Sequence, residues 1–160
     1  MKTDLTYGTP EEGVEYRHRK GAYLVAFDRG MLCAVRTKSG ELLLPGGGLE
    51  EGENHEECLL RECLEETGCD AQVGDYLCSA DIYYRHPTIG PFHQIQFYYH
   101  GSLLEQLAPV SEEEESEGIF LLPLSELDRL YLPIQRYAVE ECMRVIRNDA
   151  FGYDSEDPDF

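Results

Sequence analysis

Three glutamates lie close together on one predicted helix of this sequence. Glu62, Glu65 and Glu66 are spaced i, i+3 and i+4, and because each helical residue advances about 100° around the axis, the three carboxylates fall on one stripe. Like charges at this spacing repel one another, so a helix built only for stability would avoid them. A divalent cation would remove the repulsion, since Mg²⁺ and Mn²⁺ prefer oxygen ligands. The stripe therefore predicts a metal site.

The helix that carries these glutamates has clear ends in the sequence. Asn54 is a candidate N-cap, with Glu57 three residues on to complete a capping box. Gly68 suits the left-handed residue that ends many helices. An apolar stripe away from the glutamates is predicted to face the core, and it consists of Leu59, Leu60, Cys63 and Leu64.

A run of glycines precedes the helix. Pro45 stops sheet pairing, and the glycines that follow it let the backbone approach a ligand closely, so we expect Gly47 and Gly48 to contact the substrate.

A solvated acidic face is the alternative explanation of the glutamate stripe. The glycine run and the arginine at position 61 make that alternative the weaker one.

Arg61 can hold the loop against the helix. It can pair with Glu65 one turn further along, or reach back to Glu53 at the end of the loop. Either ion pair would shape the site.

Together these residues form a pattern of 23 positions, from Gly47 to Cys69. It reads Gly47, five residues, Glu53, seven residues, Arg61-Glu62-Cys63, one residue, Glu65-Glu66, one residue, Gly68-Cys69. The pattern resembles the full signature of the Nudix hydrolases, the MutT-like proteins, with cysteine at both hydrophobic positions. The resemblance implies the α/β Nudix fold, an α/β/α sandwich with a mixed central sheet. It also implies Mg²⁺- or Mn²⁺-dependent cleavage of a diphosphate linkage in a nucleoside diphosphate derivative.

The resemblance also implies roles for single residues. Glu62, Glu65 and Glu66 would bind metal, with a backbone oxygen from Gly46, and Arg61 and Glu53 would shape the site. Glu62 or Glu66 could instead act as the base. An acidic run further along the chain offers other candidates for the base, and the sequence does not choose among Glu114, Glu115 and Glu117.

Substrate specificity lies outside the signature. We expect Tyr84 and Arg36 to contact the substrate, and further aromatic candidates for stacking on a base are Tyr16, Tyr83, Phe92 and Tyr131. The basic run 17–20 is interpreted as a solvated strand end rather than a phosphate site. The candidate substrates are nucleoside triphosphates or oxidised nucleotides, dinucleoside polyphosphates, and nucleotide sugars or ADP-ribose.

Composition limits the class of protein. With 160 residues the chain fits a single domain over 1–160, with a core at about 20–147 and an acidic tail at 149–160. A net charge of −19 argues against a nucleic-acid polymer or an anionic membrane as a partner. The N-terminus lacks an apolar signal region, so we expect a cytoplasmic protein. The six cysteines have no CxxC spacing and are interpreted as reduced, small hydrophobic residues.

Hydrophobic periodicity and turn residues predict the other elements. We expect an edge strand at 14–18, strands at 22–27, 31–36, 41–44 and 119–122, a long hairpin of 71–84 with 92–101, a connector at 103–109, a helix at 134–147 and a mobile tail from 149.

A rival function is a nucleotide-binding sensor without turnover, but such domains often lose signature glutamates and none is missing here. The sequence leaves open whether the protein forms a homodimer.

Overall fold

The structure, a computed structural model, describes residues 5–151, and the side chains of residues 5–147. Within this range the chain forms nine strands, two α-helices and one 3-10 helix, Leu124–Arg129. The strands are β1 Leu5–Tyr7, β2 Arg17–Val25, β3 Phe27–Asp28, β4 Met31–Thr37, β5 Leu42–Leu43, β6 Gly46–Gly48, β7 Cys69–His86, β8 Gly90–Gln106 and β9 Ser116–Leu122. The helices are α1 His55–Thr67 and α2 Pro133–Phe151.

The strands form one mixed sheet and one antiparallel sheet. The mixed sheet has the order β1-β7-β8-β2-β6, in which β1–β7 and β2–β8 are parallel pairs. In the second sheet β4 pairs antiparallel with β3, β5 and β9. The long hairpin of β7 and β8 confirms the predicted pairing of 71–84 with 92–101.

The two helices cover separate cores. Cys58, Leu59 and Cys63 of α1 pack with Ala22 and Leu24 of β2. The second core joins α2 and the 3-10 helix to strand residues, and it includes Val25, Tyr98, Leu122, Leu127, Ile134, Ala138 and Val139. Successive residues of β2 therefore contribute to opposite cores, as the alternation of a strand requires. The predicted α/β/α sandwich with a mixed central sheet is confirmed.

Strand β2 differs from the prediction. The sequence suggested an edge strand at 14–18 and a separate strand at 22–27, but residues 17–25 form one strand inside the mixed sheet, between β8 and β6. Gly21 lies in the middle of this strand. A Cβ at this position would lie 2.8 Å from the Gly47 carbonyl oxygen, so Gly21 permits a close approach of β6.

Other elements also differ from the prediction. Strand β8 extends into the predicted connector, as far as Gln106, because Leu103 pairs with Ala71 and Gln106 with Cys69. Helix α2 continues to Phe151, so residues 149–151 of the predicted tail are helical, whereas 152–160 lie outside the described residues. Strand β1, which was not predicted, pairs in parallel with β7.

Helix α1 has the predicted caps. The Asn54 side chain accepts a hydrogen bond from the Glu57 N–H at 2.7 Å, and the Glu57 carboxylate accepts one from the Asn54 N–H at 3.1 Å. Gly68 ends the helix in the left-handed conformation, with φ of 74°. Leu64 does not face the core as predicted: it is 43% exposed, because the buried stripe centres on Leu59 and Cys63 and Leu64 lies beyond its edge.

All six cysteines are free and buried, which agrees with their interpretation as small hydrophobic residues. In the described part of the chain, neither helix combines the length and the apolar character needed to span a bilayer.

We predict that Asn54→Ala lowers the free energy of unfolding by about 1 kcal/mol, because the Glu57 N–H in the first turn of α1 loses its side-chain acceptor. Thermal and urea unfolding would measure the change. Asn54→Asp keeps an acceptor at the cap and is the matched control. Equal stability of wild type and Asn54→Ala would contradict the assigned role of the cap.

Candidate active site

Arg61 of α1 is the centre of an ion-pair network. Its guanidinium donates two hydrogen bonds to the Glu53 carboxylate, from Nε to Oε2 at 2.7 Å and from Nη2 to Oε1 at 2.9 Å. Nη1 donates to Glu62 at 2.9 Å and to Glu65 at 3.3 Å. Nη2 also donates to the Gly48 carbonyl oxygen at 3.0 Å. Both partners predicted for Arg61 are therefore present at once, and the arginine joins the glycine loop to the helix.

This network shifts the protonation equilibria of its members. The two hydrogen bonds from Arg61 lower the pKa of Glu53 to about 2, and the carboxylate in turn raises the pKa of Arg61. Glu53 also accepts a hydrogen bond from the Glu50 N–H at 3.0 Å. The loop end is thus fixed by a carboxylate that stays ionised at any physiological pH.

Glu66 is in a different environment. Its carboxylate accepts one hydrogen bond, from the Gly46 N–H at 2.8 Å, and no cation of the described chain pairs with it. Burial raises its pKa to about 8, and the nearby charges of Glu62 and Glu114 add to the effect. Glu66 is therefore a largely buried acid whose ionised form the protein does not neutralise.

Glu62 lies between the arginine and the glycine loop. A Cβ on Gly47 would approach its Oε1 to 2.5 Å, so the missing side chain lets the loop backbone lie against this carboxylate. Burial raises the pKa of Glu62 although Arg61 opposes the shift. Gly46 has φ of 145°, a conformation that glycine adopts easily, and a side chain there would overlap the backbone of β2.

One member of the acidic run lies near these carboxylates. Glu114 raises the pKa of both Glu62 and Glu66 through its charge. It is half-buried, whereas Glu115 and Glu117 are exposed.

The loop that carries Glu114 is fixed at three points. The Lys38 Nζ donates to the Glu112 carbonyl oxygen at 2.6 Å, and the Lys38 N–H donates to the Glu115 carbonyl oxygen at 2.8 Å. The Ser116 hydroxyl donates to the Glu66 carbonyl oxygen at 2.6 Å. These bonds join distant parts of the chain, and no local pattern in the sequence signals them.

The sequence suggested that a divalent cation relieves the repulsion among the three glutamates, but the Arg61 guanidinium already binds two of them, Glu62 and Glu65. Among the described residues, no group of three histidine, cysteine, aspartate or glutamate side chains is arranged to hold a metal ion. The donors nevertheless fit Mg²⁺ or Mn²⁺ in kind, because they are carboxylate and backbone oxygens. Glu66, buried and without a cationic partner, is the group that a bound cation would stabilise most.

A cavity of 430 Å³ lies on the α2 side of the mixed sheet. Tyr84 and Tyr131 line it, as does Gln94 of β8. Phe92 is buried beside Tyr84, with ring centroids 5.5 Å apart. Three of the predicted aromatic residues are therefore close together.

The remaining predicted contacts lie elsewhere. Tyr83 directly precedes Tyr84 in β7, so its side chain lies on the opposite face of the sheet. There it stacks on His93, with ring centroids 4.3 Å apart. Tyr16 packs edge-on against Tyr83. Arg36 is exposed on β4 opposite Leu42, and the structure describes no contact between it and the carboxylates.

The Arg19 side chain, from the basic run 17–20, lies beside Gly48 of the glycine loop. A Cβ on Gly48 would overlap its guanidinium, and its charge acts on Tyr23 and Tyr84. No carboxylate of the described residues forms an ion pair with Arg19. The run is exposed as predicted, but one of its cations lies between the carboxylates and the cavity and is not neutralised.

Comparisons with known proteins identify the family. The fold resembles that of a NUDIX hydrolase from Nitrosomonas europaea, with a TM-score of 0.66 and 16% identity over 80% of this chain and 90% of that one. It also resembles an ADP-ribose pyrophosphatase from Streptococcus suis 89-1591, with a TM-score of 0.61 and 18% identity over 81% of this chain and 92% of that one. A UDP-X diphosphatase matches with a TM-score of 0.61 and 22% identity over 89% of this chain and 67% of that one.

No curated protein matches the sequence. The family model of the NUDIX domain, however, matches residues 17–142, which include the whole of the signature and most of the described fold. The chain therefore belongs to the NUDIX hydrolase family.

Proposed function

We propose that this Nudix pyrophosphohydrolase hydrolyses a phosphoanhydride bond in a small nucleoside diphosphate derivative, with Mg²⁺ or Mn²⁺ as its cofactor. The observation that supports this most strongly is Glu66, a buried carboxylate with no cation of the protein beside it, at the junction of the glycine loop and α1. A buried unpaired charge destabilises a fold unless a ligand compensates it.

Glu66, Glu62 and Glu65 would hold the metal together with the backbone oxygen of Gly46, the residue whose N–H donates to Glu66. When bound, the metal would polarise phosphorus–oxygen bonds and lower the pKa of bound water. Because Arg61 holds Glu62 and Glu65 in the structure, these two side chains would have to share their oxygens between the arginine and the metal. Arg61 and Glu53 would keep the loop in place during turnover.

Glu114 is the residue to which we assign removal of the proton from the attacking water. It lies near Glu62 and Glu66 but outside the ion-pair network of Arg61, so it is not held by a cation. Its loop is fixed by Lys38 and Ser116, which would hold the carboxylate in place. A positioned carboxylate of this kind can accept a proton in the transition state.

Arg19 and the cavity are the features to which we assign binding of the substrate's phosphate group and base. An exposed guanidinium beside Gly48 would attract a phosphate group, and Tyr84 and Tyr131 could stack on a base. The ADP-ribose pyrophosphatase and the UDP-X diphosphatase named above support a nucleotide-type substrate. The strongly acidic chain, with its net charge of −19, gives no support to binding of a nucleic-acid polymer or a membrane.

A panel of compounds would test the proposal. The hydrolysis products would be separated by chromatography after incubation with nucleoside triphosphates, oxidised nucleotides, dinucleoside polyphosphates and nucleotide sugars including ADP-ribose, each with Mg²⁺, with Mn²⁺ and with chelator. We expect metal-dependent turnover of at least one class. Binding without turnover would indicate the sensor instead, and absence of both would contradict a nucleotide function.

We predict that Glu66→Gln lowers kcat by at least about a hundredfold, because the principal metal ligand loses its charge. The fold should be retained, since glutamine can still accept the hydrogen bond from Gly46. Steady-state kinetics and circular dichroism would check both points. Turnover at the wild-type rate would refute the assignment of Glu66.

The same variant should reveal the raised pKa of Glu66. Between its ordinary pKa of 4.5 and its folded value of about 8, the folded protein keeps a proton that the unfolded chain releases, so wild type without metal loses stability as pH rises. Glutamine does not titrate. In chelator, Glu66→Gln should therefore melt above wild type at pH 8, and the difference should disappear near pH 4.5. A pH-independent difference in melting temperature would contradict this account.

We predict that Glu114→Gln lowers kcat about a hundredfold, the typical contribution of a general base. The matched control is Glu113→Gln, which removes the same charge from the neighbouring, exposed position. Kinetics at saturating metal would compare the two variants. Similar activities would show that Glu114 contributes only to the general charge of the loop.

A further inference from the structure

A row of polar side chains crosses the mixed sheet beneath the cavity. The Tyr98 hydroxyl donates to Oε1 of Gln96, and both residues are only 1% exposed. Gln96 Nε2 donates to Oε1 of Gln94 at 3.0 Å. Gln94 Nε2 then donates to the Tyr23 hydroxyl oxygen at 3.2 Å. Four side chains of β2 and β8 are thus linked in series.

The direction of these hydrogen bonds follows from burial. The hydrogen of the buried Tyr98 hydroxyl needs an acceptor, and Gln96 Oε1 provides it. The Gln96 amide must then donate with its nitrogen, and the same reasoning fixes the Gln94 amide. The Tyr23 oxygen therefore accepts a hydrogen bond, and its own hydrogen is available to another acceptor. Among the described residues, no acceptor is recorded for that hydrogen.

Tyr23 lies between the carboxylates and the cavity. It pairs with Gly46 across the sheet, and a Cβ on Gly46 would approach the Tyr23 ring to 2.8 Å. Its hydrogen-bond partner Gln94 lines the cavity. The charges of Glu66 and Arg19 both act on it, and burial raises its pKa. The hydroxyl is therefore a protonated donor at any working pH.

We propose that the Tyr23 hydroxyl donates a hydrogen bond to a non-bridging oxygen of the phosphate that stays attached to the nucleoside. This inference rests on the proposed function: Tyr23 bonds to Gln94, which lines the cavity, and pairs with Gly46, which bonds to Glu66, so a diphosphate that spans the cavity and Glu66 would lie beside it. The nearby Arg19 favours an anionic oxygen at the same place. The row from Tyr98 to Gln94 keeps the hydroxyl hydrogen directed toward the substrate.

The first experiment replaces Tyr23 by Phe, which keeps the ring and removes the donor. We expect kcat/KM to fall about 10- to 100-fold on whichever compound the wild type hydrolyses, the usual range for a hydrogen bond to a charged group. The melting temperature and the response to Mg²⁺ should stay close to those of wild type. Tyr99→Phe is the matched control, because its hydroxyl bonds to His55 on the opposite face of the sheet. It should retain wild-type kcat/KM.

The second experiment tests the direction of the row. In Gln94→Glu a carboxylate faces the Tyr23 hydroxyl and accepts its hydrogen, so the donor is withdrawn from the substrate. We expect a loss similar to that of Tyr23→Phe, and little further loss when both changes are combined. Losses that multiply in the double variant would show that the added charge acts directly on the substrate, and would overturn the role of the row.

The outcomes separate this inference from the proposed function. A wild type that hydrolyses nucleotides and a Tyr23→Phe variant with kcat/KM within twofold of it would overturn only the tyrosine assignment. A wild type without turnover on the whole panel would overturn the proposed function. In that case, equal nucleotide affinities of wild type and Tyr23→Phe, measured by calorimetry, would overturn the tyrosine assignment as well.

Discussion

The bidentate ion pair between Arg61 and Glu53 is the interaction on which the site depends. It fixes the end of the glycine loop to the middle of α1, and the same guanidinium reaches Glu62, Glu65 and a loop carbonyl oxygen. A lysine could not make these contacts together, because an ammonium group is a compact point charge without the planar fork. The loop and the carboxylates therefore keep one relative position.

This arginine also divides the glutamates into two kinds. Glu53 has a cationic partner and a pKa of about 2, whereas Glu66, which forms no ion pair with the arginine, is largely buried and has a pKa of about 8. The protein thus neutralises the carboxylate that holds the loop. The Glu66 carboxylate, beside Gly46, has no cationic partner in the described chain. In physical terms, this difference makes Glu66 the place where a bound cation would gain the most free energy.

Strand β2 connects this charge cluster to the cavity. Alternate residues of the strand face opposite sides of the sheet, so Ala22 and Leu24 pack on α1 while Arg19 and Tyr23 lie on the cavity side. Its antiparallel pairing with β6 brings the strand to the glycine loop, and its parallel pairing with β8 brings it to Gln94. One strand thereby supplies a cation and a hydroxyl between the two halves of the site.

Local spacing in the sequence was enough to predict the caps of α1, the stripe of glutamates, the contact of Arg61 with Glu53 and, through them, the family. All these residues lie within one short segment, where helical geometry relates spacing to position. The approach of Glu114, Arg19 and Tyr23 to this segment could not be predicted in this way, and neither could the position of Arg36, for which the structure describes no contact with the carboxylates. Those residues are brought in by strand pairing and loop contacts between distant parts of the chain, and no local periodicity records such pairings.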